Sequence, residues 1–578
     1  MSMNIVFHFR SKIKKYDRHA LSKYVLISAL LALASLVWPT AIFPAHILSD
    51  GIRKELLLKL DKMNSSPKFA CRGEILCGSL AIPHFYERRD FRPAWIVDGD
   101  PLPQAGSLIN AIREADREGL KPDDYHLATI QSLLSEVRKD KVEGNLLHPE
   151  KLVDLDLLLT DAYLIYASHL LAGRVNPETI HTEWIAYNRT EDLANILNTA
   201  LESNQIQESL HRLPPSHTGY ERMREALFEY RIIARGGGWS LVPFGPTLRK
   251  GDRDVRVGML RSRLAISGDL DSPFASRPDL FDDYVEDAVL RFQERHGLKA
   301  DGTVGPKTLA AFNVPMEERI RMLEINMERW RWIPHDLGER HILVNLARFE
   351  LSVIEENQQI MSMHVVVGRP ARSTPVFSAQ MQYLVFNPYW HIPTKIAVED
   401  ILPKVQKDPD YLKRQKIKVF QGWDDKAPEI ESKTVNWSQL NSDNFFYKLR
   451  QETGPQNALG RIKFMFPNKF SVYLHDTPAK GLFRRTKRDF SAGCIRIAKP
   501  IELAEYLLKD NIDWPHDKIL EAISSGERKI VRLSNSIPVH ILYLTSWVGI
   551  DGKVYFFSDI YERDKAMMRA LEERPPKA

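Results

Sequence analysis

Cysteine is scarce in this chain: Cys71, Cys77 and Cys494 are the only three in 578 residues. A disulfide-dense small fold is excluded, and no Cys-x-x-Cys pair is present to hold zinc. A His-Glu-x-x-His stretch is absent too, which removes the usual zinc-protease arrangement. A surplus of one charge is also missing. The 80 Lys and Arg exceed the 75 Asp and Glu by only 5, and no long basic tract lies beyond the N-terminus. Nucleic acid is not indicated as a partner. The mild positive balance suits an anionic polymer without identifying one. After residue 48 no uncharged run is long enough to cross a bilayer.

Hydrophobic residues make up 44% and charged residues 27%, an ordinary globular balance. A chain of 578 residues is too long for one core, so two to four domains are expected. Arg10, Lys12, Lys14, Lys15, Arg18 and Lys23 precede an apolar run over residues 24–48. That order predicts a cytoplasmic tail and membrane anchor in 1–49, with the bulk of the protein on the periplasmic face of the inner membrane. Pro39 and Pro44 interrupt the run's second half. No small-x-small cleavage site follows the apolar core, so a retained anchor is expected; cleavage would release the protein into the periplasm. Exported thiols tend to pair. Cys71 and Cys77 are six positions apart around a short loop, and a bridge between them is expected. Cys494 is then left over, for an intermolecular bond or for reactivity.

Residues 50–242 read as a helical scaffold, opening with a charged, helix-compatible stalk. Within it, residues 152–165 are too apolar for an exposed helix, and Gly173 and Pro177 end that helix. Gly236, Gly237, Gly238, Pro243 and Pro246 mark a boundary. A compact unit follows over 243–315. Val257, Leu260 and Leu264 share one helical face, and Val285, Ala288, Val289 and Phe292 another. Phe292-Gln293, Asp301-Gly302 and Gly305-Pro306 complete the pattern. This stretch resembles the three-helix peptidoglycan-binding module of wall enzymes, with a loop at 268–279 longer than usual. A connector helix is expected over 316–335. The period then changes to two, and 341–346, 349–354 and 361–367 read as strands, with a turn at Glu356-Asn357. Strand character returns at 382–386 and 471–474. The whole is expected to be multi-domain α+β. A mostly β, sandwich-like domain spans 336–540, a charge-rich helical capping insertion occupies 395–449, and a C-terminal segment covers 541–578.

Two segments carry chemistry: Tyr473-Leu474-His475-Asp476-Thr477-Pro478 and Ser491-Ala492-Gly493-Cys494-Ile495-Arg496. Acyl transfer through a thiol needs a thiolate, a base or cation that produces it, and donors for an oxyanion. Cys494 offers the thiol, His475 the base, and the backbone N–H groups of Gly493 and Cys494 the donors. Tyr473 and Arg496, each two residues from its partner in an extended chain, point to the same side. Arg496 is placed either against a substrate carboxylate or in a structural salt bridge. Lys480, Arg484, Arg485, Lys487 and Arg488 would add a positive field if their loop folds over the thiol. A zinc site from His475, Asp476 and His391 would leave the thiol without a role.

The pair of segments resembles the active-site motif of the L,D-transpeptidase (YkuD-type) catalytic domain. There a histidine precedes Ser-x-Gly-Cys-x-Arg or Ser-x-Gly-Cys-x-Asn by just under twenty residues. Here His475 and Cys494 are 19 apart. Ala492 replaces the second histidine that many members carry before the glycine, as in the large YcbB-like branch with an inserted peptidoglycan-binding module. The resemblance implies Cys494 as nucleophile and His475 as base. Tyr473, Ser491, Arg496 and Trp390 are expected on the substrate side, while Trp423 and Trp437 of the insertion either touch substrate or pack a small core. It implies peptidoglycan stem peptides and glycan as partners, carbapenem-type inhibitors, and no metal or organic cofactor. The implied reaction joins the third residues of two stems. An L,D-carboxypeptidase, with water as acceptor, and a non-catalytic wall-anchoring protein are the alternatives.

Overall fold

The computed structural model describes residues 42–66, 68–78, 80–180, 183–185, 189–424 and 426–573. The expected anchor lies outside them, except for its last residues. There a helix, Ile42–Ser65, begins and runs through the expected stalk. Ile52, Leu56, Leu60 and Met63 recur every three or four residues and are buried against the scaffold core, so this segment is not a free stalk.

The scaffold is built around the helix Pro149–Ala172. It is long and apolar enough to cross a membrane by composition, yet it is mostly enclosed by neighbouring helices. Its three buried carboxylates organise the loops around it. Asp154 pairs with Lys59 and with Arg72. Asp156 accepts from the Ala94 and Trp95 amides and from the Tyr86 hydroxyl. Asp161 accepts from the Cys77 and Gly78 amides and meets His126 Nε2 at 2.7 Å. An unpaired buried acid would cost several kcal/mol, so these loops are fixed by the helix that they cover.

Strands β1 (Ala70–Cys71) and β2 (Glu74–Ile75) form a hairpin on this scaffold, and β3 (Ile96–Val97) and β4 (Asp100–Pro101) a second. The expected Cys71–Cys77 bridge is not formed; all three cysteines are free. The hairpin turns Cys71 inward, where its thiol lies 3.2 Å from Asp154 Oδ1. Past the hairpin the Cys77 backbone is held by Asp161, which leaves that thiol exposed.

Three helices, Arg256–Ile266, Asp283–Arg295 and Pro306–Phe312, form the next unit. Gln293 explains its motif. The side-chain oxygen accepts from the Asp301 and Gly302 amides, and the side-chain nitrogen donates to Asp301, Thr303 and Thr308. One buried amide thus holds the Asp-Gly turn, where Gly302 has φ +69°, beneath the helix pair. Phe292 stacks on Phe312 at 3.8 Å. The helix Met316–Trp330 is more than a connector. Asn326, Glu328 and Arg329 are buried on it, between the helix Thr218–Arg235 and the C-terminal helix Arg563–Glu572.

The remaining domain is mostly β, as expected. Its strands are β5 (Arg340–Asn345), β6 (Glu350–Glu355), β7 (Gln358–Gly368), β8 (Phe377–Phe386), β13 (Ile462–Met465), β14 (Leu474–His475), β15 (Asp489–Ser491), β16 (Ile495–Ile497) and β17 (Lys529–Leu542). The sheet order is β15-β7-β16-β14-β13-β8-β17-β5-β6, and β6 also pairs with β7, so the sheet closes on itself. The first half of β7 runs along β6 and its second half along β16, so one long strand turns the corner of the sandwich-like form. Glu356 and Asn357 make the β6–β7 turn with φ of 50° and 62°, the pattern that follows strand twist. β17 continues past residue 540 in register with β5. A C-terminal hairpin, β18 (Ser546–Val548) and β19 (Val554–Phe556), follows it.

The insertion differs from expectation. Between β8 and β13 lie β9 (Trp390–Ile392), β10 (Ile417–Gln421), β11 (Glu429–Ile430) and β12 (Tyr447–Gln451), an antiparallel sheet in the order β11-β10-β12-β9, beside short helices. The cap is therefore mixed rather than helical. Its strands are short, and the alternation of buried Ile417 and Val419 with half-buried Lys418 and Phe420 is weak.

Two outcomes are expected. Gln293→Ala leaves the buried Gly302 amide without its acceptor, while the Asp301 amide keeps the Lys299 carbonyl, and destabilises the three-helix unit by about 2 kcal/mol, read as faster hydrogen exchange at Gly302. On the native protein a thiol reagent labels Cys77 readily and Cys71 only after unfolding; protection of both until a reductant is added would restore the bridge.

Candidate active site

The site is set by strand register. β14 pairs with β16 in parallel, Leu474 opposite Ile495 and His475 opposite Arg496. Leu474 and Ile495 are both buried in the domain core. Alternation then turns Tyr473, His475, Cys494 and Arg496 to the other face. His475 and Cys494 are diagonal neighbours on adjacent strands, and in this structure the thiol donates to the Ser471 carbonyl at 3.9 Å.

His475 Nδ1 lies 2.5 Å from the Asp476 carbonyl. A carbonyl only accepts, so Nδ1 carries the proton and Nε2 keeps its lone pair. Burial, the facing Arg496 guanidinium and Lys463 push His475 down to about 3, against a weaker upward pull from that carbonyl. The ring is therefore neutral throughout the physiological range. Asp476 does not orient the imidazole with its carboxylate. That group accepts from the Arg461 and Thr477 amides and from Lys480.

Burial also pushes the Cys494 thiol up. The Tyr473 backbone N–H and hydroxyl, with the Lys463 and Arg496 cations, pull the other way. Lys463 carries no sequence signal. It enters the site because β13 pairs antiparallel with β14 and sets it opposite His475. Its ammonium sits 3.8 Å from the centre of the Tyr473 ring. The cations beside the thiol are thus Lys463 and Arg496, not the basic run at 480–488. Lys480 pairs with Asp476, Lys487 with Asp489, and Arg484 and Arg485 are exposed. Arg496 forms no salt bridge among the described residues, and its Nε is buried without an acceptor.

Two expected roles change. The Ser491 hydroxyl is taken up inside the cysteine turn: it donates to the Cys494 carbonyl and accepts from Gly493 N–H at 3.1 Å. Ser491 is therefore placed to shape the turn rather than to touch substrate, and Gly493 N–H is already engaged. Cys494 N–H has no acceptor among the described residues. Gly493 has φ +119°, a conformation that favours glycine, and its carbonyl accepts from Thr374 Oγ1 at 2.8 Å.

The aromatic residues separate. Trp390 lies on β9 and packs against the cap's apolar core. Trp437 is buried in that core and donates to the Ser432 carbonyl at 2.8 Å, so it is a packing residue. Trp423 is 48% exposed. The cap is tied to the cysteine side by Arg372, which pairs with Glu399 and Asp400. The half-buried thiol and neutral imidazole predict a pH profile. Alkylation of Cys494 should climb only above the ordinary thiol range, without a rise near 6.5, the ordinary range of histidine. Lys463→Met should move the climb to higher pH; an unmoved profile would remove Lys463 from the thiol's environment.

Comparison with known proteins agrees with this architecture. A family model described as "L,D-transpeptidase catalytic domain" matches residues 339–526. A "Putative peptidoglycan binding domain" matches 253–312, and a "Scaffold domain" 81–227. Over 243 residues the chain is 32% identical to a "Putative L,D-transpeptidase" of Haemophilus influenzae. That stretch is 42% of this chain and 48% of the relative, so the match spans about half the relative's length. An L,D-transpeptidase structure from Stackebrandtia nassauensis overlaps 52% of this chain and 96% of its own at 15% identity, with a TM-score of 0.21. One from Xylanimonas cellulosilytica overlaps 52% and 98% at 13% identity, with a TM-score of 0.16. Superpositions this loose place no residues. In the order of the three structural regions, residues 81–227, 253–312 and 339–526 are thus similar to a scaffold domain, a peptidoglycan-binding domain and an L,D-transpeptidase catalytic domain.

Proposed function

We propose that this protein is a cysteine-dependent peptidoglycan L,D-transpeptidase of the cell envelope. The observation that carries the reading is the shared face of β14 and β16. A thiol, a neutral imidazole with a free Nε2, and an unpaired guanidinium stand there together. In this reading Arg496 binds a carboxylate of the donor stem tetrapeptide, which aligns the carbonyl of its third residue with Cys494. As sulfur attacks, His475 Nε2 takes the thiol proton. Cys494 N–H and the Tyr473 hydroxyl face the developing oxyanion. The bond to the fourth residue breaks, D-Ala leaves with the proton from His475, and a thioester remains. The side-chain amine of a second stem's diaminopimelate then attacks the thioester. The C–S bond breaks, the amine's proton returns to the sulfur by way of His475, and an amide joins the two third residues.

The proton must move during attack, because neither partner is charged beforehand. A general base of this kind contributes about 10²–10⁴-fold. His475→Ala should therefore slow thioester formation within that range, and Cys494→Ala should abolish it. Both are read by mass spectrometry of the full-length protein after incubation with a stem tetrapeptide or a carbapenem. A His475→Ala loss below about tenfold, with the fold intact by circular dichroism, would mean that the cations alone activate the thiol. Crosslinked dimer among the products separates transpeptidation from the carboxypeptidase alternative, which yields only shortened monomer.

A further inference from the structure

The outer face that carries Cys494 continues across the sheet. Lys463 on β13 stands opposite Val385 on β8, and Val385 opposite Ile530 on β17. In the next row Met465 stands opposite Tyr383, and Tyr383 opposite Arg532. A cleft of about 250 Å³ opens over these rows, between the sheet and β9 of the cap. Tyr383, Tyr389, His391, Lys463, Arg528 and Arg532 line it.

Its charge is one-sided. Lys463, Arg528 and Arg532 have no ion-pair partner among the described residues. Of the other cations nearby, Arg450 is paired with Glu452 at 2.8 Å. His391 registers the field: burial, together with Lys448, Arg450, Lys463 and Arg528, holds it below the ordinary imidazole range. Lys463 is half-buried while Arg528 and Arg532 stand exposed at the mouth; uncompensated cations gathered around a concave place repel one another and favour an anion. At about 4.8 Å per strand, Lys463 is two strands, roughly 10 Å, from the strand of Cys494, and Arg532 is roughly 19 Å away. An extended tripeptide spans roughly 10 Å. A carboxylate-bearing tripeptide can thus bridge the roughly 9 Å between the strands of Arg532 and Lys463, and a side-chain amine at its Lys463 end can extend towards the strand of Cys494.

We propose that this cleft binds the acyl acceptor, a second stem peptide, through its carboxylates, with Arg528 and Arg532 as its outer anchors. The inference rests on the transpeptidase reading, which requires two peptides at one sulfur. Arg496 serves the donor on the Cys494 strand, and the cleft lies on the opposite side of His475. Diaminopimelate fits the need, because its side-chain amine sits on a carbon that also bears a carboxylate.

The test uses the full-length protein, a stem tetrapeptide as donor, and a stem tripeptide ending in diaminopimelate. The tripeptide has no residue to release and can act only as acceptor. The thioester partitions between tripeptide and water. In an Arg528→Ala/Arg532→Ala double variant, the ratio of dimer to hydrolysed monomer at low tripeptide should fall about tenfold or more, with a raised acceptor KM. Lysines at both positions should restore most of it. An unchanged ratio would overturn the proposal, even where acylation itself slows. A second arm measures tripeptide binding by calorimetry to Cys494→Ala protein, with and without the two arginines. Equal affinity overturns the proposal and a clear loss supports it. Should no thioester form in the unsubstituted protein, the transpeptidase reading fails, and this binding arm still decides what the cleft holds.

Discussion

The parallel pairing of β14 with β16 is the constraint on which the site depends. Two parallel neighbours cannot be joined by a tight turn; the chain must cross over and return. The step of 19 positions from His475 to Cys494 is that crossover. The crossover carries the basic run and β15, and it brings the chain back in the direction it left. A hairpin would have joined the strands in far fewer residues but reversed β16. The parallel register sets Cys494 beside Tyr473 and Arg496 beside His475 while Leu474 and Ile495 fill the core. A slip of one residue would bury the thiol and expose the leucine. Core packing therefore enforces the active geometry.

What could be read from the sequence follows from the same fact. The meeting of the His475 and Cys494 segments was legible because each is a short local pattern, and the structure sets the two side by side. Gln293 with Asp301-Gly302 was legible because one side chain closes one turn. Lys463 was not. It has no motif, and its place depends on a strand register that only the folded sheet supplies. Ser491 was misplaced because a hydroxyl beside a reactive turn looks the same in sequence whether it faces the substrate or the turn's own backbone. The bridge between Cys71 and Cys77 failed for a related reason. Spacing permits closure, but the direction of each side chain is set by Asp154 and Asp161, more than eighty positions away. The capping sheet was hidden by the weak alternation of its short strands.

The electrostatics of the site are balanced between opposing demands. Burial keeps both His475 and Cys494 neutral, which holds down the resting thiolate. The same burial strengthens each donor that faces developing charge, since a low local dielectric magnifies interactions that water would screen. Lys463 and Arg496 offset part of the burial effect on sulfur without a carboxylate to neutralise them. A resting ion pair would have given more thiolate and a less nucleophilic sulfur. In the proposed reaction, neutral partners beside fixed cations would delay charge separation until a carbonyl is present to receive the sulfur.

The cysteine turn is also held from a distance. Thr374 donates to the Gly493 carbonyl and accepts from the Gly368 amide. Tyr561, near the C-terminus, donates to the Gly368 carbonyl at 2.7 Å and accepts from the Thr374 amide. Ser373 bonds to Glu183 of the scaffold, and Val376 extends the scaffold segment as a parallel bridge to Trp184. The three-helix unit is fixed to the same body. Arg295 donates to the Val554 carbonyl of the C-terminal hairpin, and Lys553 of that hairpin donates back to Gly268. Thr545, at the base of the hairpin, joins Asn326 and Asp564, and Asp564 pairs with Arg329 at 2.7 Å. Apart from the exposed Lys553 bond, these polar contacts are buried or partly buried, so breaking one leaves partners unsatisfied rather than merely separated. The units are thus fastened by a chain of such contacts and not by a linker. A polymer strand gripped by the three-helix unit would meet the thiol at a fixed offset, and that offset is a property of the fold.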